Sequence, residues 1–218
     1  MENKSHLSYE QYSKIIIAKI HRPMIIAITG ISGVGKSTFA QVLSHSMHYS
    51  NCIVCADDFL KIEYRGVNCF RNNSDEILRP DMFDWETLRK TILDLSSCES
   101  VYTPHYKRGY GWVNDNLINS ADVVIVDGLF LDSEECNQVI DFDMYILMMS
   151  TDDLIRKFRM KRDDYYRQNS DSFSRSKEET ELEIKNCILS NKLYNRSKSI
   201  DNVFKVFIYD KHCISEIE

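Results

Sequence analysis

Apolar and polar residues follow two rhythms along this chain. Largely apolar, branched runs of strand length fall at residues 24–29, 52–56, 123–126, 144–149 and 203–209. Between them lie stretches with helical spacing. Residues 8–20 set Tyr9, Tyr12, Ile16 and Ile20 near one helix face, and Pro23 ends that pattern. Residues 36–47, a segment starting near Asp84, residues 151–167 and residues 176–195 read as further helices. A strand that is apolar throughout is one buried on both faces, as in a parallel sheet. Strand and helix in alternation then predict an α/β, three-layer fold: a five-stranded parallel sheet with helices on both sides.

Length makes this a single domain over residues 1–218, since 218 residues fill one core and are thin for two. Within it, residues 1–22 form an N-terminal helical segment and residues from about 151 to 175 a helical lid. Three prolines and seven glycines leave no flexible linker to divide the chain. The net charge of −6 argues against non-specific nucleic-acid binding, which rests on Lys and Arg neutralising phosphates. No apolar run approaches the roughly 20 residues of a membrane span. Seven cysteines, an odd number without framework spacing, are expected as reduced thiols. Together with the absence of a secretory-type leader, this predicts a cytoplasmic protein without membrane partners. Homo-oligomerisation stays open.

One motif carries most of the chemistry. Gly30-Ile31-Ser32-Gly33-Val34-Gly35-Lys36-Ser37-Thr38 fits G-x-x-x-x-G-K-[ST], between a buried strand and a helix. Glycines let the backbone wrap phosphate oxygens, and the following helix aims its positive end at the same anion. Lys36 would reach the β- and γ-phosphates and Ser37 would ligate Mg²⁺. The donor is ATP or GTP, although no N-K-x-D guanine motif is present: Asn191-Lys192 continues as Leu193-Tyr194.

Two acidic strand ends support this. Asp57 and Asp58, in Ala56-Asp57-Asp58-Phe59, stand where ligands gather in open α/β sheets, and a carboxylate there can accept a proton from an attacking hydroxyl. Asp127 closes the run Val123-Val-Ile-Val and is placed to hold Mg²⁺ directly or through water. The basic cluster Arg156, Lys157, Arg159, Lys161, Arg162 and Arg167 reads either as a solvated helix face or as a clamp on the transferring phosphoryl group. The stretch Tyr102-Thr-Pro-His105-Tyr106-Lys-Arg108-Gly-Tyr110-Gly-Trp112 reads as an aromatic loop that either packs or contacts an acceptor. Cys52 and Cys55 lack a second ligand pair and sit inside a strand, which makes them structural thiols.

The order of these motifs resembles the uridine kinase family, in the group with phosphoribulokinase, type I pantothenate kinase and nicotinamide riboside kinase. Asp57 falls on the catalytic aspartate of the family's Q-D-x-F segment. Arg79-Pro80-Asp81-Met-Phe83-Asp84 resembles its H-P-D-x-F-D stretch, and Val101-Tyr102 its P-x-Y segment. Arg159-Met-Lys-Arg162-Asp163, followed by Arg167, resembles its arginine lid. The resemblance implies that Asp57 is the base and that Lys36, Arg159 and Arg162 stabilise the transferred group. It places Arg167 and the P-loop on the nucleotide, and Asp58, Asp81, Asp84, Tyr102, His105, Tyr106 and Arg108 on a small-molecule hydroxyl acceptor, uridine- or cytidine-like. The chain departs from the family at Leu78, where an aspartate binds ribose hydroxyls, and at Leu60, where a tyrosine stands. Another hydroxylated metabolite or natural product is therefore the alternative acceptor, and a nucleotide switch without transfer activity the alternative class.

Overall fold

A computed structural model describes residues 7–65, 77–107, 111–169, 176–193, 203–210 and 213–217. In chain order it contains β1 (Leu7–Ser8), α1 (Tyr9–Ile17), β2 (Met24–Gly30), α2 (Lys36–Ser46), β3 (Asn51–Cys55), α3 (Trp85–Ser96), β4 (Val101–Lys107) and β5 (Gly111–Ile118). There follow β6 (Val123–Gly128), α4 (Glu134–Asn137), β7 (Met144–Met149), α5 (Asp152–Gln168), α6 (Lys177–Leu193), β8 (Val203–Asp210) and β9 (Cys213–Ile217).

The main sheet runs β1-β9-β8-β7-β2-β6-β3. From β8 to β3 every pairing is parallel, which gives the five strands the apolar runs predict. Two antiparallel strands, β9 and β1, extend the edge beyond β8. They escape a reading from hydrophobic runs because one has two residues and the other, Cys-Ile-Ser-Glu-Ile, is half polar. The aromatic stretch is also not a loop. It forms the antiparallel hairpin β4–β5, with a register shift between Thr103 and His105, near Pro104.

The central strands show why the core divides in two. In β2, Ile26 and Ile28 join Tyr9, Tyr12, Phe39 and Leu43 on one face, under α1 and α2. The intervening Ala27 joins Phe83, Trp85, Leu88 and Ile92 on the other, under α3. Side-chain caps start α1, α3 and α5. Ser8 and Gln11 bond reciprocally as a capping box for α1. Asp84 caps α3 and Thr151 caps α5. Phe39 fixes α1 to α2: its ring centroid lies 5.3 Å from that of Tyr9, edge to face, and 6.0 Å from that of Tyr12.

Phe39→Ala should cost about 3–5 kcal/mol of stability, read from the urea midpoint at constant m-value. A loss under about 1 kcal/mol would mean that α1 is not part of the core.

Candidate active site

β2 ends at Gly30, and residues 31–35 turn tightly before α2 begins at Lys36. Two glycines make that turn possible. Gly35 has φ +104°, and a Cβ there would lie 2.6 Å from the Tyr9 hydroxyl. Gly33 has φ +90°, and its Cβ would lie 2.6 Å from both Cγ and Cδ of Arg159. Val34, 1% exposed, anchors the loop in the core. No side chain caps α2, so its first-turn N–H groups stay available to an anion. Ser37 and Thr38 are exposed.

Lys36 is buried, and its Nζ donates to the carbonyls of Gly30 (3.0 Å) and Ile31 (3.3 Å). Two carboxylates share its charge. Asp57 lies in the short turn Ala56–Phe59 directly after β3, reachable by solvent yet ringed by protein, and accepts from the Leu129 amide at 3.3 Å. Asp127, the penultimate residue of β6, pairs in register with Cys55, next to that turn. Dehydration by the surrounding protein raises the pKa of Asp57; Asp127 and Asp58 add to this, against Lys36 and the Leu129 amide. Burial likewise raises Asp127, against Lys36 and the Ser37 hydroxyl that donates to it.

Asp127 Oδ1 is buried without a hydrogen-bond partner. With the Ser37 hydroxyl beside it, this donor set fits a divalent cation that completes its shell with phosphate oxygens and water. Among the described residues no group of three or more His, Cys, Asp or Glu gathers to hold a metal.

The arginines of α5 part company. Arg159 is 2% exposed. It lies across Gly33, donates from Nη1 to Ser32 Oγ and pairs through Nη2 with Glu183 of α6. Arg162 is half exposed and its Nε donates to Asp163 at 3.0 Å. Arg167 bonds Asp164 (2.6 Å), Thr180 (3.2 Å) and the Ser176 carbonyl (3.3 Å), and so ties α5 to α6.

The acceptor candidates also divide. His105 Nδ1 lies 3.1 Å from Asp58 Oδ2, which joins the hairpin to the turn after β3. Asp84 spends its carboxylate on the α3 cap, accepting from the Thr87 amide (3.1 Å) and hydroxyl (2.7 Å). Asp81 is exposed and pairs with Arg79 at 3.0 Å. Tyr102 is exposed opposite Leu117, and Tyr106 stands opposite Trp112 in the hairpin register. Arg108 lies outside the described residues. Near Asp57, Phe130 adopts φ +58°, unusual for an aromatic residue, with its ring 5.8 Å from that of Phe83. A cavity of about 200 Å³ opens where α5 starts and β8 ends, lined by Thr151, Leu154, Lys157, Phe207 and Tyr209 among others.

The family model described as phosphoribulokinase / uridine kinase family matches residues 25–188. This chain belongs to that family. The uridine kinase of Ureaplasma parvum is 26% identical over 139 residues, 62% of this chain and 67% of that protein. The uridine kinase of Mycoplasma genitalium is 30% identical over 154 residues, 68% of this chain and 71% of its own length. In fold the chain is similar to a putative fructose transport system kinase from Silicibacter sp. (TM-score 0.64, 17% identity, 90% and 98% of the two chains). It is also similar to D-glycerate 3-kinase from Cryptococcus neoformans (TM-score 0.66, 10% identity, 96% and 97%). Family membership makes the protein a P-loop phosphotransferase of the small-molecule kinase type. None of its described helices is long and apolar enough to cross a membrane.

Two residues of the site were not visible from motifs. Tyr9 lies before the matched region, and Glu183 sits in a helix whose inward face cannot be read without its partner α5.

Gly33→Ala should weaken ATP–Mg²⁺ binding by roughly tenfold or more, since the strained φ alone costs about 1–3 kcal/mol and the methyl would displace Arg159. Calorimetry reads this, and unchanged affinity would contradict the placement of Arg159. A second prediction follows from the raised pKa of Asp57. The native state holds that proton more tightly than the unfolded chain, so ionisation opposes folding once the pH exceeds the unfolded value of about 3.9. Asp57→Asn should therefore raise the thermal midpoint at neutral pH, with the gain vanishing in acid. A lower midpoint at neutral pH would contradict the dehydration of Asp57.

Proposed function

We propose that the protein is an ATP- and Mg²⁺-dependent kinase that transfers the γ-phosphate to an alcohol hydroxyl of a small molecule, with a nucleoside of the uridine or cytidine type as the leading acceptor. The observation that carries this reading is the placement of Asp57: a carboxylate of raised pKa at the open end of β3, coupled electrostatically to the P-loop lysine. A nucleotide switch needs no such base.

In this reading Asp57 takes the proton from the acceptor hydroxyl. The freed oxygen electron pair forms a bond to the γ-phosphorus, and the bond to the β–γ bridging oxygen breaks, leaving ADP with the released pair. Dehydration makes Asp57 a stronger base than an ordinary carboxylate. Lys36 and Arg159 offset the charge on the transferred group, and the N–H groups of residues 31–37 hold the phosphates. A divalent cation, held by Ser37 and Asp127, would neutralise phosphate charge and fix the β- and γ-oxygens. The cavity lined by Phe207 and Tyr209 lies on the same edge of the sheet as the P-loop and would take the donor base. The described cysteines are free thiols, in keeping with a reducing cytoplasm.

The names of the relatives favour a nucleoside acceptor. One observation favours the wider reading. Leu78 packs against the apolar cluster under α3, and its carbonyl accepts from Ser190 Oγ at 2.6 Å. That position therefore offers no carboxylate to a ribose diol, which opens the site to sugars, pantothenate-like alcohols or other hydroxylated compounds.

The test is ADP release from ATP–Mg²⁺ over a panel of nucleosides, pantothenate, sugars and hydroxylated antibiotics. At least one acceptor should stimulate release well above hydrolysis. With that acceptor, Asp57→Asn should lower kcat about 10²–10⁴-fold while ATP affinity stays within a few-fold. Hydrolysis unaffected by every acceptor would move the protein to the switch class, and near-normal turnover by Asp57→Asn would remove Asp57 as base.

A further inference from the structure

The lid arginine that reaches the P-loop is held from behind. Arg159 is almost wholly buried, an adverse place for a cation. Its aliphatic stem rests on Gly33 and one guanidinium nitrogen bonds Ser32 of the P-loop. The other terminal nitrogen, Nη2, is ion-paired with the carboxylate of Glu183, and both it and Nε are buried without a directed hydrogen bond among the described residues. Burial disfavours the charge, and Glu183 with Asp163 more than offsets it, so the guanidinium is held above its ordinary pKa.

Glu183 belongs to α6, which is bound to α5 along its length. Thr180 Oγ1 donates to Asp163 Oδ2 at 3.1 Å, Arg156 pairs with Glu181, and Lys192 lies 3.2 Å from Asp152. Those contacts hold helix to helix. The Glu183–Arg159 pair continues from α6 through α5 to the phosphate loop.

We propose that Glu183 is a positioning residue for Arg159: it fixes the guanidinium across Gly33, with Nη1 at Ser32 of the P-loop, before nucleotide arrives. The proposal rests on the kinase reading above and adds a residue that none of the sequence motifs contains. The physical basis is pre-organisation. A guanidinium with five donors and no fixed carboxylate would turn toward water in the lid, and each phosphate encounter would then have to order it. With Glu183 in place, Nη2 is anchored from α6 while Nη1 is held at Ser32, on the P-loop where an anion would bind.

The readout is the preference for a third phosphate, which a merely structural residue would not change selectively. Calorimetry with ADP–Mg²⁺ and AMP-PNP–Mg²⁺ on the full chain compares wild type, Glu183→Gln, Arg159→Ala and the double variant. Glu183→Gln should bind ADP within about threefold of wild type and lose about tenfold of its preference for AMP-PNP, about 1.4 kcal/mol. The double variant should match Arg159→Ala, because Glu183 acts only through that side chain. Glu183→Asp keeps the charge but withdraws it by one methylene. It should lose part of the preference, and it carries the test if the glutamine variant does not fold. Equal losses for both nucleotides, no loss, or additive effects in the double variant would overturn the proposal and leave the kinase reading standing. Failure of the wild type to bind either nucleotide would overturn both.

Discussion

The site depends on one buried cation shared between two carboxylates. Lys36 lies under its own loop, bonded to the carbonyls of Gly30 and Ile31, and its charge lowers the pKa of both Asp57 and Asp127. Without it, two acids at adjacent strand ends would sit in a partly dehydrated pocket with nothing to oppose their protonation. Dehydration by the protein around Asp57 and burial of Asp127 still win, and both are raised from the ordinary carboxylate pKa. The balance leaves a carboxylate of raised pKa, a second carboxylate with a buried oxygen that has no hydrogen-bond partner, and a lysine under the P-loop.

The rest of the fold supplies what this cluster needs. The parallel order β3-β6-β2 brings the ends of the two acidic strands beside the P-loop strand. The face of α1 that packs on Phe39 also brings the Tyr9 hydroxyl against Gly35, so the N-terminal helix braces the phosphate loop. On the other side, α5 carries Arg159 over Gly33 and α6 holds it there. The loop is thus buttressed from two elements that the Gly-Lys-Ser motif does not contain.

Much of this was legible in the sequence because the deciding signals are local. Five apolar runs became five parallel strands, and the P-loop formed between strand and helix where its spacing puts it. The acidic residues at 57 and 127 stand at strand ends because the runs before them are buried and a charge stops the run. What stayed hidden depends on pairing across distance. The strand at 213–217 carries two polar residues in five and pairs antiparallel near the end of the sheet, so no apolar run marks it. The hairpin of residues 101–118 reads as a loop because its aromatics follow no clean alternation around the irregularity at Thr103–His105. Among the basic residues of α5, spacing alone could not separate Arg159 from Arg162 and Arg167. Burial does, since only Arg159 bonds the P-loop among the described contacts while the others serve Asp163, Asp164 and Thr180. Asp84 was legible as an acid at a helix start, and that start consumes it.

The central claim is that a dehydrated Asp57, poised by Lys36, is the base of a phosphoryl transfer. The pH dependence of kcat/KM for the acceptor that most stimulates ADP release tests it most directly. The account predicts an activity that is lost in acid through a single ionisation lying above the ordinary aspartate range, since the base must be unprotonated and its pKa is raised. That limb should be absent from whatever residual rate Asp57→Asn retains. A rate that holds level down to the ordinary carboxylate range, or an acid limb that persists unchanged in Asp57→Asn, would contradict it.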